Sequence, residues 1–366
     1  MQLMLKNTPV LSFDLESSTY KVEDLSLMPY SLRNASFNPD EAASLTEYAE
    51  AIQRRDRDMM GFLSRRILPA NRTFAPEIFK AFSYVQYYSD EDRAQIAMDS
   101  GAFSCSDSYW IKDDDEDMTW TRFNPRKKFA KEKVVRIALL GESYELGSIK
   151  RSPELTTGGT FAKAWVKSGE GLYLFKRSGS RRESEVEVEV SALLDCLPIL
   201  HVGYEKVRVG GEVMCKCKCL ADEERSIVSA EEVFLYFRRD MDKFFEWAFQ
   251  LDMDAIYKMC IVDYLISNPD RTMDNWGFYQ NNTTGFLTGC HPLFDHNRAF
   301  DPDLMKLEDG GESALFPNRS QKEVAEFAMT KCNMYYLHNP RRDFFFDPEH
   351  YESFMHRAES LGIILR

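Results

Sequence analysis

Between residues 160 and 290 the apolar positions change period several times. "FAKAWV" and "LYLFK" are short apolar runs joined by "KSGEG", a pattern that predicts a β-hairpin. "ESEVEVEVSALLDCL" alternates at first with period two, like a strand. Over a longer window Val186, Val190, Leu193 and Leu197 recur at helical spacing, and Ser180 with Glu183 fits a capping box, so helix is the favoured reading. "YEKVRV" and "EVMCKCKCL" flank Gly210 and Gly211 and predict a second hairpin. "SAEEVFLYFRRDMDKFFEWAFQ" and "DMDAIYKMCIVDYLI" are helical patterns, and the second runs straight into "NPDRTMDNWGF". "WGFYQNN" and "FLTGC" around "TTG" predict a third hairpin, and the tail from about residue 320 is helical again. The pattern is a strand-rich lobe followed by a helical lobe.

The first 145 residues read differently. A short strand, "VLSFDLE", precedes helices, and in "DEAASLTEYAEAIQRRDRDMMGFLSRRIL" Leu45, Ala49 and Ile52 stand at helical spacing until Pro69 breaks the run. "APEIFKAFSYV" is a further short helix, and "DSYWIKDDDEDMTW" an aromatic strand and loop. The change of pattern near "ELGSIKRSPELTTGG" places a boundary, giving an accessory region 1–148, a strand-rich nucleotide-binding lobe 149–224 and a helical catalytic lobe 225–366.

Composition narrows the function classes. The 366 residues, 44% hydrophobic and 29% charged, suit a globular protein of two or three domains. No apolar stretch approaches the roughly 18–20 residues that span a bilayer, and the start, "MQLMLKNTPVLSFDL", turns polar too soon for a secretory signal. A cytoplasmic protein without membrane contact is expected. The net charge of −13 argues against a nucleic-acid surface, which needs a positive field. The spacing in "CKCKC" puts three thiols on one face of a strand and lacks the usual spacing of a zinc site. "DDDED" (113–117) lacks the Gly turn and distal Glu of an EF-hand and reads as a solvated loop.

Against that background three polar positions stand out. Asp270 and Asn275 lie five residues apart after an apolar helix, and Asp295 follows "PLF" twenty residues later. A carboxylate and a carboxamide are hard oxygen ligands of the kind Mg2+ takes alongside phosphates and water, and Asp270 fits a base that orients a hydroxyl. The other parts of a phosphoryl-transfer site are upstream. In "TTGGT", Thr157, Gly158 and Gly159 let main-chain N–H groups approach phosphate, with Lys163 close by. Lys176 ends an apolar strand, pointing at a cleft, and Glu185 on the next helix is the preferred acidic partner, Glu183 and Glu187 being assigned to a solvated face. Each residue alone also fits a bland role, as turn, cap or solvated strand end. Together, in this order, they read as one site.

These stretches resemble the HipA-like kinases, relatives of the protein-kinase-like superfamily. The matching segments are "LTTGGTFAKAW", "LYLFK", "SEVEVEVSALL", "VDYLISNPDRTMDNWGF" and "PLFD", with "FLSRRILPANR" and "CSDSYWI" upstream. The resemblance covers most of 1–300. It implies an α+β, bilobal protein-kinase-like fold, a strand-rich ATP lobe and a helical lobe, with an additional N-terminal α/β domain. It further implies an ATP- and Mg2+-dependent kinase acting on a Ser or Thr hydroxyl of a protein, itself included, and a regulatory partner such as an antitoxin. By motif, Asp270 is the catalytic Asp, Asn275 and Asp295 bind metal, Lys176 binds ATP, and the segment from Cys219 and Leu220 to Asp222 is the adenine hinge. Where the family often has His, two residues after the catalytic Asp, this chain has Thr272. A small-molecule or lipid kinase of the same fold, and a nucleotide-binding, toxin-type interaction protein with little turnover, are the alternatives.

Overall fold

The computed structural model describes the chain apart from residues 35, 39–41, 85–88, 129–130, 147–148, 170, 180, 339 and 366. The expected cap at Ser180 and the boundary at 148 fall on residues outside those described.

Strands β1 (Gln2–Leu5), β2 (Thr8–Asp14) and β3 (Thr19–Val22) are joined by β4 (Tyr109–Lys112) in an antiparallel sheet of order β3-β2-β1-β4. Strand alternation assigns the two faces of β1. Leu3 and Leu5 enter a large core, whereas Met4 packs on the other side with Trp110 and Trp120. The helices of this part are α1 (Leu45–Arg65), α2 (Ala75–Ala81), α3 (Asp90–Ser100), α4 (Trp120–Phe123), α5 (Pro125–Lys128) and α6 (Glu132–Leu140). Ser44 caps α1 by accepting from the Glu47 N–H. The stripe expected at Leu45, Ala49 and Ile52 is not the buried one: Leu45 is 88% exposed, and burial begins at Ala51 and continues through Met59, Phe62 and Leu63. Leu45 and Ala49 are exposed and Ile52 is half-buried, so among the described residues that spacing does not mark the packed face. The acidic run at 113–117 is largely solvent-facing, with Glu116 tied to Arg151 at 2.5 Å.

The second sheet contains β5 (Lys163–Ser168), β6 (Gly171–Arg177), β7 (Tyr204–Val209) and β8 (Glu212–Lys218), in the antiparallel order β5-β6-β8-β7. Both turn glycines between β7 and β8 are left-handed, Gly210 at φ +59° and Gly211 at φ +86°, as a two-residue hairpin turn requires. The favoured helix is present as α7 (Glu183–Leu194), packed on β7 and β8. Cys215 and Cys217 are buried and Lys218 is exposed, so the cysteine-rich strand is half-buried; all eight cysteines are free.

The remaining elements are β9 (Arg225–Ser229), α8 (Ala230–Tyr236), α9 (Met241–Leu265), β10 (Gly277–Asn281), β11 (Leu287–Cys290), α10 (Pro302–Met305), α11 (Gln321–Met329), β12 (Tyr336–Leu337), α12 (Pro348–Ser360) and β13 (Ile364–Leu365). A three-stranded sheet runs β11-β10-β9, and β12 pairs with β13 in parallel. The two helical runs read from the sequence meet in α9, broken at Asp252 (φ −156°, ψ 71°). Two large cores result. One joins α7, through Val186, Val190 and Leu193, to α8, α9, α11 and α12. The other fills the N-terminal part but also takes in Leu155, Ala164 and Met214. Among the described residues no helix is long and apolar enough to cross a membrane.

Candidate active site

A cleft of about 570 Å³ opens between the second sheet, the loop after α9 and the N-terminal region. Thr157, Gly158, Gly159, Lys163, Lys176, Cys219, Leu220, Asn275 and Asp295 all line it. Asp270 adjoins it through Asn275, whose Nδ2 donates to the Asp270 carbonyl at 2.6 Å.

The loop entering β5 starts from a short turn, Pro153–Thr156, capped by Ser152. The Thr157 hydroxyl is turned inward, donating to the Pro153 carbonyl (2.6 Å) and accepting from Trp165 Nε1 (3.1 Å), so what Thr157 offers the cleft is main chain. Gly159 has φ +84°, the left-handed conformation that calls for glycine, and a Cβ there would meet only the movable end of Lys163. Antiparallel register then sets Lys163 directly across from Lys176.

Lys176 is the centre of the charge network. Its Nζ donates to Glu187 Oε1 (2.5 Å), to Asp295 Oδ1 (2.7 Å) and to Tyr204 Oη (3.0 Å). Burial works against its charge, but Asp295 and Glu187 outweigh it and hold the ammonium well above its ordinary pKa. Burial likewise opposes ionisation of Asp295, yet Lys176 and Lys163 hold that carboxyl well below the usual range. Lys163 lacks such close partners: burial pushes it down to about 8, Asp295 opposing and Lys176 adding to the shift. Asp295 is left-handed at φ +62°, an unusual conformation for a residue with a side chain and one that recurs at functional sites.

The acidic partner of Lys176 is therefore Glu187, not Glu185. Glu185 pairs instead with Arg182 and Lys206, while Glu187 is 1% exposed and also accepts from the His296 N–H at 3.1 Å. Glu183 is buried too and accepts from the Gly179 N–H. The error was one of helical phase. At about 100° per residue, Glu183 and Glu187 fall in the sector of Val186 and Val190, and Glu185 lies roughly 160° from Glu187. The stripe that identified the helix also held the signal for the acid that pairs with Lys176.

The loop after α9 is organised by Arg271, which sequence reasoning passed over. Its guanidinium is 1% exposed and donates to the Asp263 carboxylate (2.9 Å), to the Asn275 carbonyl (2.7 Å) and to the Phe294 carbonyl (3.1 Å). One buried side chain thus ties α9 to the segments that carry Asn275 and Asp295. Thr272, which stands where the resembled kinases often have His, is exposed, and what it gives the loop is main chain: its N–H donates to the Asp270 carbonyl (2.9 Å) and its carbonyl accepts from the Asn275 N–H (3.0 Å). The Asp270 carboxyl is raised above its ordinary pKa, by burial first and by the neighbouring Asp295 carboxylate second. At the other end, the Cys219 N–H donates to the Leu172 carbonyl (2.9 Å), extending the sheet along the cleft edge.

Asn275 and Asp295 both line the cleft and carry oxygen atoms of the kind a hard cation takes. Among the described residues no group of three or more His, Cys, Asp or Glu side chains is placed to hold a metal ion. A hard cation that takes one or two protein oxygens and completes its shell with phosphates and water asks for no larger cluster.

Taken together, the layout is an α+β, two-lobed protein-kinase-like fold with an additional N-terminal α/β region. It is the fold of HipA from Shewanella oneidensis MR-1, solved with HipB and operator DNA: the match has a TM-score of 0.51 and 12% identity over 99% of this chain and 95% of that one. The proinflammatory kinase CtkA of Helicobacter pylori matches 55% of this chain and 90% of its own, with a TM-score of 0.39 and 13% identity. No protein-family model and no curated protein matches the chain.

Proposed function

We propose that the protein is a HipA-like kinase that transfers the γ-phosphoryl group of ATP, with Mg2+, to a Ser or Thr hydroxyl of a protein. The observation that carries the reading is Lys176, buried between Glu187 and Asp295 in a cleft edged by the Gly158–Gly159 loop. Lys163 and Lys176 bind the phosphates, and the main chain at Gly158 and Gly159 cradles them. Cys219 and Leu220 hold the base. Asp295 and Asn275 hold the metal, which when bound neutralises charge on the phosphoryl group. Asp270 orients the acceptor hydroxyl and takes its proton, a role its raised pKa favours. In this reading 149–224 is the nucleotide lobe, 225–366 the catalytic lobe and 1–148 an accessory domain of a cytoplasmic protein. The HipA match, in a toxin–antitoxin complex, supports an antitoxin-type protein as regulatory partner.

Phosphate transfer from labelled ATP, compared across the parent, Asp270→Ala and Asp295→Asn, tests the assignment. The expected result is transfer in the parent and loss in both variants while both still unfold cooperatively, Asp295→Asn alone being less stable and also weakening Mg2+-dependent nucleotide binding. Transfer that survives Asp270→Ala would overturn the catalytic assignment. A parent that binds Mg-ATP without transfer would leave a binding protein.

A further inference from the structure

The glycine loop is not held by its own lobe alone. The N-terminal segment between α1 and α2 runs along its back. The Leu68 N–H donates to the Leu155 carbonyl and the Thr73 N–H to the Thr160 carbonyl, each at 2.8 Å. Between them lies Arg72, 2% exposed. Its Nη1 donates to the carbonyls of Thr157 (2.7 Å) and Glu154 (3.2 Å), and its Nη2 donates to the Lys163 carbonyl. Five carbonyls between 154 and 163 are thus taken by one short segment from a distant part of the chain.

This arrangement fixes which way the loop faces. A trans peptide points its C=O and its N–H in opposite directions. With the Thr157 carbonyl drawn back to Arg72, the N–H of Gly158 is turned away from Arg72. Gly158 is exposed on the cleft wall, and no atom stands within 4 Å of where its Cβ would be. On the Gly158 side there is no side chain to hold that peptide; on the other side Thr157 is buried and its carbonyl is the one Arg72 takes. Burying a guanidinium is costly unless its donors are taken. That Arg72 directs these donors to main-chain carbonyls of this one loop makes it a strut for the loop.

We propose that Arg72 is a positioning residue for the phosphate-binding loop, holding the Thr157–Gly158 peptide with its N–H toward the cleft. Arg72 then sets affinity for the phosphates of the nucleotide, and not for its base. This rests on the nucleotide reading of the cleft.

The test measures Mg-ATP and adenosine affinities calorimetrically for the full chain, Arg72→Ala and Arg72→Lys. Losing charge-assisted bonds to the loop weakens Mg-ATP about tenfold or more. Adenosine, which has no phosphates, binds all three proteins equally, and Arg72→Lys recovers part of the ATP affinity. Equal loss of both ligands in a folded Arg72→Ala, or no loss of either, overturns the proposal. If Arg72→Ala does not fold, Arg72→Lys decides: it keeps the buried cation without the fork, so weaker ATP with unchanged adenosine supports positioning, and unchanged ATP overturns it. A parent that binds adenosine but gains nothing from the phosphates defeats the strut alone. One that binds neither ligand defeats the nucleotide reading itself, and the strut with it.

Discussion

Lys163 and Lys176 face each other across two antiparallel strands, and their surroundings push them to opposite protonation behaviour. Lys176 has two carboxylates and stays charged; Lys163, brought down to about 8 by burial, is poised. A lysine whose native pKa lies below its unfolded value lowers stability at neutral pH, and that cost fades as pH rises through the native value toward the unfolded one. Bound phosphate reverses the shift. Just above pH 8, nucleotide binding is therefore expected to take up a proton on Lys163, since phosphates with a second pKa of about 6 are already deprotonated. Calorimetry in buffers of different ionisation enthalpy should show this uptake in the parent and not in Lys163→Met, with parent affinity falling as pH rises. Uptake that persists in Lys163→Met would remove Lys163 from the site. The two acids of α7 give a second check. Glu187→Gln leaves a buried ammonium short of a partner and is expected to cost about 3 kcal/mol in urea unfolding, the low end for such a loss because Asp295 remains. Glu185→Gln breaks pairs with half-exposed Arg182 and Lys206 and is expected to cost about 1 kcal/mol or less. The reverse order would restore Glu185 as the partner. At this scale, residues whose type alone signals chemistry were legible: Lys176, Asp270, Asn275 and Asp295 meet at or beside one cleft. Glu187 was missed through helical phase, and Arg72 was out of reach because its Thr157 partner lies 85 residues away.

Among the elements, α9 shows what periodicity conveys and what it hides. Two helical patterns were legible, and the break between them falls at Asp252. Its side chain replaces what the broken helix loses: Oδ1 accepts from the Ala255 N–H (3.3 Å), capping the second half, and Oδ2 accepts from the Cys290 N–H (2.9 Å) on β11. The same carboxylate therefore sets the direction of the helix leading to Asp270 and pins the strand leading to Asp295. Losing an N-cap costs about 1 kcal/mol, and leaving the strand N–H unpaired costs about 1–3 kcal/mol more. Asp252→Ala is expected to lower stability by about 2–4 kcal/mol in chemical denaturation, and Asp252→Asn by less because it still accepts. Equal effects of the two would mean that charge, and not capping, is what matters there. The hairpins were the most legible elements, since Gly210 and Gly211 supply the positive φ that the β7–β8 turn needs. The α1 stripe was the least, because spacing cannot say which turns of a helix have a core to meet.

For the whole molecule, the change of pattern near residue 148 predicts the edge of an accessory domain, but the packing crosses that line. Leu155, Ala164 and Met214, all fully buried, belong to the core built by β1, β2 and the N-terminal helices. Polar contacts cross the same line: the Ile227 N–H donates to the Ser106 carbonyl (2.9 Å), and buried Gln280 donates to Tyr109 Oη (2.8 Å). Sequence shows where pattern changes; it does not show which side chains of the second sheet face a region folded from the first. Burying a Leu or Met side chain is worth about 1.5–3 kcal/mol, so uncovering Leu155 and Met214 together removes roughly 3–6 kcal/mol, a large part of the 5–15 kcal/mol that holds a typical domain. A chain beginning at residue 149 is therefore expected to lose cooperative unfolding and to bind a hydrophobic dye, even though it keeps every side chain assigned to catalysis. Nucleotide binding should fall with it, because the glycine loop loses the strut at Arg72 as well as its apolar floor. A sharp transition near that of the full chain, with ATP bound normally, would show instead that the strand-rich and helical parts stand alone and that the N-terminal region is a passenger on the cleft.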